Sequence, residues 1–124
     1  MKKLAQEIWI FDGDPVQFLG LPYTTRMTIV RLSDGGLWVH SPIQFSNSIR
    51  EQINNLGQVK YLIAPNHLHH LFLSEWVSAY PSAEVYGTNE VIKKCVIYTF
   101  TLHLTKAVML GTLRLNKNYF LALH

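Results

Sequence analysis

The chain has 124 residues, enough for one domain or part of one. It is 48% apolar and 15% charged, which excludes a chain kept disordered by its composition. The net charge of +3 does not describe a nucleic-acid surface: up to Cys95 eight basic residues balance eight acidic ones, and the excess lies beyond it in Lys106, Arg114 and Lys117, neither a groove nor a stripe.

A single cysteine, Cys95, excludes an internal disulfide framework and suits a reducing compartment. No uncharged apolar run reaches the roughly 20 residues of a membrane span. After Met1-Lys2-Lys3, the acids Glu7, Asp12 and Asp14 interrupt any stretch resembling a signal peptide. A cytoplasmic domain with no nucleic-acid and no membrane partner is the expectation.

Glu7-Ile8-Trp9-Ile10-Phe11 reads as a first strand, ended by Asp12-Gly13-Asp14-Pro15 and followed by a loop over residues 16–25. Met27-Thr28-Ile29-Val30-Arg31-Leu32 is a second strand, and Ser33-Asp34-Gly35-Gly36 a hairpin turn. Leu37-Trp38-Val39-His40 returns and stops at Ser41-Pro42. A helix follows, capped by Ser46 or by Ser48, which has capping-box spacing to Glu51. Ile49, Ile53 and Leu56 share its apolar face, and Gly57 stands where a left-handed C-terminal cap belongs. Val59-Lys60-Tyr61-Leu62-Ile63-Ala64 is a buried strand. A second helix over residues 70–80 lines up Leu73, Trp76, Val77 and Tyr80 before Pro81. Ala83-Glu84-Val85-Tyr86-Gly87 is a short strand, and Thr88 caps a helical stretch to residue 94. This order predicts an α/β domain with a mixed sheet and helices packed on it. Trp9, Trp38 and Trp76 are all expected in the core.

The stretch richest in chemistry is Ala-Pro-Asn-His-Leu-His-His-Leu-Phe-Leu over residues 64–73. It follows a buried strand and opens a helix, and loops at the carboxyl ends of strands are where α/β sheets bind ligands. His67 and His70, three apart, are candidate ligands for one divalent ion, with His69 beside them. His40 ends the strand expected to run parallel to residues 59–64, so a cleft shared by His40 and the loop from Asn66 to His70 is predicted. Arg26, with Tyr23 before the second strand, is a candidate for binding an anion or pinning a loop. No Gly-rich phosphate loop, G-x-S-x-G elbow or paired-cysteine zinc motif occurs.

The run F-L-G-L-P-Y-T-T-R-M-T-I-V-R-L-S-D-G-G-L-W-V-H-S-P over residues 18–42, with A-P-N-H-L-H-H-L-F-L and E-W-V-S-A-Y-P, resembles an uncharacterised family of metallo-β-lactamase-like proteins. The resemblance implies a partial αββα sandwich of the metallo-hydrolase/oxidoreductase superfamily, whose enzymes use a dinuclear site, often zinc, to activate water. The superfamily signature H-x-H-x-D-H falls on Pro65, His67, His69 and His70, so two of four ligand positions match. Proline has no side-chain donor, and His69 is an altered ligand. The division implied is an N-terminal part of such a domain over residues 1–95 and a divergent tail over residues 96–124.

In the same frame of resemblance, related proteins continue past the Lys93-Lys94 pair with a Pro-Asp-Leu-x-Phe-like stretch, absent here. Codons for Val96-Ile97-Tyr98-Thr99-Phe100-Thr101, read one base earlier, can spell Asp-Ile-His-Phe-His. The tail is therefore expected to be out of frame relative to the family's gene, the rival being a divergent ending with two Thr-rich strands. Three functions follow as expectations. One is a metallo-hydrolase-like protein with a degenerate metal motif, acting on a small molecule if at all. Another is a non-catalytic binding or interaction module that keeps the fold without metal. The third is a truncated product without independent activity, whose exposed sheet a second copy of the chain would cover as a homo-oligomer.

Overall fold

The computed structural model describes residues 1–66 and 70–91. Six strands form one sheet: β1 (Lys2–Ala5), β2 (Ile8–Phe18), β3 (Leu21–Arg31), β4 (Gly36–His40), β5 (Gln58–Ala64) and β6 (Glu84–Gly87). They lie side by side in chain order, antiparallel from β1 to β4 and parallel from β4 to β6. The parallel pairs need crossovers, which α1 (Asn47–Leu56) and α2 (His70–Ala79) supply. A mixed α/β domain is thus what the sequence encodes. The tail over residues 96–124 and the helix end near residue 94 lie outside the described residues, but that helix starts as expected: Thr88 Oγ1 accepts from the Val91 N–H at 3.4 Å. Among the described residues no helix is long and apolar enough to cross a membrane.

The first half of the sheet differs from the sequence expectation. The loop expected over residues 16–25 is instead a long hairpin, because β2 and β3 run on for 11 residues each. Asp14 and Pro15 do not end β2. They sit in a bulge between the pairs Gly13↔Thr25 and Val16↔Tyr23, opposite Thr24 alone. A bulge frees the position from donating to the ladder, so proline's missing N–H costs nothing there. Thr25 Oγ1 donates to the Asp14 carbonyl at 2.9 Å and closes the bulge. The arm turns through Leu19 (φ 51°) and Gly20 (φ 75°), the positive-φ pair of a tight hairpin. β1 is a further addition, an exposed edge strand with two lysines that discourage pairing with another chain.

The core lies on one face of the sheet. Trp9, Phe11, Met27, Ile29, Leu37, Val39, Leu62 and Ala64 project from the strands and meet Ile53 of α1 and Leu73, Trp76 and Val77 of α2. The periodicities of both helices are therefore used as expected, with Ile49, Leu56 and Tyr80 packed at the margins. Trp38 is the exception among the tryptophans. Its neighbours Leu37 and Val39 take the core face, so alternation turns Trp38 to the opposite face, where it is half-buried.

Two helix-end expectations are refined. Ser46, not Ser48, caps α1: its Oγ accepts from the Ile49 N–H at 3.2 Å. Gly57 is not a left-handed cap. Its φ of 158° leaves the left-handed helical region, although its N–H still reaches Ile53 O at 3.2 Å. Glycine is needed there for closeness, since a Cβ would stand 2.5 Å from Gly35 O.

Arg31 ties three elements together. It bonds Glu7 through two nitrogens, one at 3.0 Å, donates to Leu56 O at 3.1 Å, and lies 5.2 Å above the Trp9 ring. Leu56 O belongs to the negative end of α1, where a cation is favoured. The hydrogen bond from Arg31 holds the Glu7 carboxyl below its usual range. A depressed carboxylate contributes stability above its unfolded pKa and loses it as pH falls through the folded value. Acid titration of stability below the ordinary pKa of 4.5 should therefore be shallower in Glu7→Gln than in the wild type, measured as urea midpoints from pH 2 to pH 6.

Trp76 is fully buried, and its Nε1 donates to Ile43 O at 2.7 Å. Trp76→Phe should cost about 1–3 kcal/mol by leaving that buried carbonyl unpaired, and Trp76→Ala about 3–5 kcal/mol through the cavity. Equilibrium urea unfolding of both variants checks the order and the sizes.

Candidate functional site

β3 outruns β4. Only Thr28 to Arg31 of β3 pair with β4, while the preceding residues of β3 pair with β2 alone. The arm thus overhangs the carboxyl ends of β4 and β5, and a cleft of about 320 Å³ opens beneath it. Val16, Tyr23 and residues 24–26 form its arm side; Ser41, Pro42, Asn66 and Phe72 form the other. This is the crevice at strand ends where α/β sheets receive ligands.

The cleft gathers two of the predicted residues, Arg26 and Asn66. Arg26 Nε donates to Asp12 Oδ1 at 2.6 Å across the β2–β3 pair, and both side chains are largely exposed. A guanidinium keeps further N–H donors beyond Nε, in a planar fork suited to carboxylate or phosphate. Arg26 thus pairs with a carboxylate, Asp12, while standing at the cleft wall.

His40 is not part of the lining. It shares the sheet face of Trp38, on which its ring stacks at 5.1 Å and 23°. It pairs with Thr28, two residues from Arg26, so it is a diagonal neighbour of Arg26 across the strands, at roughly 7–8 Å between backbones. Its parallel neighbour on β5 is Ile63, as the expected strand order required. His67 and His69 lie outside the described residues, as does the His70 side chain; His70 opens α2.

Sequence reasoning missed Ser41 as a site residue, treating Ser41-Pro42 only as a strand stop. Ser41 lines the cleft, is 8% exposed, and bridges the two sides of the sheet end: its N–H donates to Ile63 O at 2.8 Å while its Oγ meets His40 Nδ1 at 3.0 Å. Its φ is 57°. A non-glycine residue in that region costs about 1–2 kcal/mol, and one before proline normally stays extended. The sequence carried only a His-Ser-Pro triplet at a strand end; the backbone strain and the polar pair that coincide there belong to the structure.

Among the described residues no three His, Cys, Asp or Glu side chains come together in a group able to hold a metal. Pro65 brings no donor to the first position of the metal signature, so no chemical step is assigned to a metal here.

Residues 5–116 match a family described as a domain of unknown function, DUF4336, and the match runs past Cys95 into the stretch where composition changes. No curated protein matches the chain, and no solved structure does. With nearly its whole length matched, the chain belongs to the DUF4336 family.

Proposed function

We propose that this protein binds a small anionic molecule in the cleft under the β2–β3 arm. The observation that carries this reading is the convergence of Arg26, Asn66 and Ser41 on one 320 Å³ space walled by Val16, Pro42 and Phe72. An apolar-walled pocket with a few polar groups is the usual form of a small-molecule site, and this volume is near the lower end of such sites. Arg26 selects for negative charge. Asp12 opposes it, because a bound anion competes with Asp12 for the same guanidinium.

The metallo-hydrolase reading has one support of its own: His67 follows directly on Asn66, a residue of the cleft wall. Zinc or another divalent ion would then be held by His67 and His70, with His69 in place of the usual acid. The αββα sandwich that would accompany this activity is part of the same proposal. Pro65 weakens it, since three or four fixed donors are the norm. A cytoplasmic location, and a second copy of the chain as a partner, fit either reading.

Two measurements decide. NMR titration with mono- and dicarboxylates, and inorganic phosphate as reference anion, should shift signals of Ser41, Asn66 and Phe72. Arg26→Gln should weaken the binding about 10- to 100-fold, the worth of a hydrogen bond to a charged group, while Asp12→Asn should strengthen it. No shift at the cleft with any anion rejects the reading. Calorimetric titration with zinc should show weak binding only. Tight stoichiometric binding, lost in a His67→Ala/His70→Ala double variant, would establish the metal site instead.

A further inference from the structure

The structure assigns Ser41 a chemical role: we propose that Ser41 is a nucleophile activated by His40, acting on small esters of anionic acids in the cleft under the arm. The inference rests on the cleft being the ligand site. It adds a reaction that the binding reading does not require.

Three features meet at Ser41. Its Oγ is 3.0 Å from His40 Nδ1, within the reach a nucleophile and its base need. With the imidazole proton on Nε2, Nδ1 is the acceptor and Ser41 O–H the donor. The Trp38 ring stacked on His40 restricts the imidazole, and a base held by a third group is the arrangement that makes such pairs effective. The second feature is the backbone. Ser41 leaves β4 with φ 57° and immediately precedes Pro42, so the chain turns sharply at the strand end. Sharp, strained turns after a strand are how other folds present a nucleophilic serine, and left-handed non-glycine residues cluster at functional sites. The third is position: Ser41 is a residue of the cleft wall, opposite Arg26.

The reaction balances without any cofactor. Ser41 Oγ attacks the ester carbonyl carbon, forming a new O–C bond, while its proton passes to His40 Nδ1. The ester C–O bond breaks, and the leaving alkoxide takes the proton from His40. Water then attacks the acyl-Ser41, His40 accepts its proton, and the acid leaves as Ser41 O–H is restored. Pro42 follows Ser41 and has no N–H, so the usual backbone donor for the oxyanion is missing. Donors for the oxyanion then come from side chains of the cleft wall, of which Arg26 carries N–H groups beyond the one given to Asp12. Arg26 also holds the anionic group of the substrate, which accounts for the substrate class.

The test is covalent labelling of the folded protein with a fluorophosphonate. Ser41 Oγ forms a bond to phosphorus, fluoride leaves with the P–F electron pair, and the proton goes to His40. Peptide mass spectrometry should place the label on Ser41 and not on the exposed Ser33, Ser46 or Ser48. Ser41→Gly should abolish it, glycine being the substitution that φ 57° accepts most easily. His40→Phe, which keeps an aromatic ring on Trp38, should slow labelling on the order of 100-fold, as loss of a general base does. Folded wild type with unlabelled Ser41, or with label spread evenly over its serines, overturns the proposal, whether or not the His40 variants fold. Undiminished labelling in a folded His40→Phe overturns the role of His40. Anion binding without labelling leaves the cleft a binding site and removes the nucleophile. Labelling without anion binding keeps Ser41 and removes the role of Arg26.

Discussion

The hydrogen bond from the buried Trp76 indole to Ile43 O fixes the segment on which both fold and cleft depend. Ile43 is itself buried, and a Cβ added to Gly13 would sit only 3.0 Å from the Ile43 Cβ, which shows how closely β2 passes. Two residues earlier, the Ser41 N–H extends the β4–β5 ladder by one rung to Ile63 O. Ser41, Pro42 and Ile43 thus hold helix, sheet and arm at one point. The buried bond matters because a carbonyl leaving a strand end has no ladder partner, and an unpaired buried carbonyl is costly. With α2 bonded to it, the segment cannot drift, and the turn at Ser41 stays in its strained conformation because its neighbours are fixed on both sides.

The cleft itself is a consequence of unequal strands. At about 3.3 Å per residue, an 11-residue strand is roughly 36 Å long and the five-residue β4 roughly 16 Å. The excess must overhang something, and the carboxyl ends of β4 and β5 lie below it. The arm is a two-stranded ribbon whose bulge raises the local twist and whose base is packed. Phe18 and Tyr23 meet edge to face at 6.0 Å along it. An isolated hairpin would be marginal in water, and the close approach of Gly13 to Ile43 packs the base of the overhang against the rest of the domain.

The second half of the domain was legible in the sequence and the first half only partly. Ile49, Ile53 and Leu56, then Leu73, Trp76 and Val77, repeat at helical spacing, and the apolar run from Val59 leaves one structural solution. Asp12-Gly13-Asp14-Pro15 misled, because these residues terminate strands in general and a bulge absorbs them only when the partner strand supplies a residue such as Thr25 to close it. Leu19-Gly20 lacks the Asn-Gly or Asp-Gly signature of a tight hairpin, so Gly20 and Pro22 read as the punctuation of a loop and not as a two-residue turn. Asn66 was legible as a cleft residue from strand order, whereas Arg26 was legible only as an anion-binding or loop-pinning candidate from its place before the second strand. Ser41 was not, since its importance rests on a backbone angle and a 3.0 Å contact that no residue spacing encodes.

His40 shows why strand order alone did not define the lining. Parallel neighbours bring their ends together, and β4 and β5 do so here, with Ile63 beside His40. Side chains, however, alternate, and Val39 occupies the core face. His40 stands on the face away from the core, which Arg26 shares, and Ser41, next along, is the residue of β4's end that enters the cleft. An extended backbone at Ser41 would continue the alternation and carry the chain straight on. The left-handed turn instead folds the Ser41 hydroxyl back to the imidazole of its own neighbour. That turn connects the half-buried Trp38–His40 stack with the cleft wall, so His40, which does not itself line the cleft, meets it at the Ser41 Oγ.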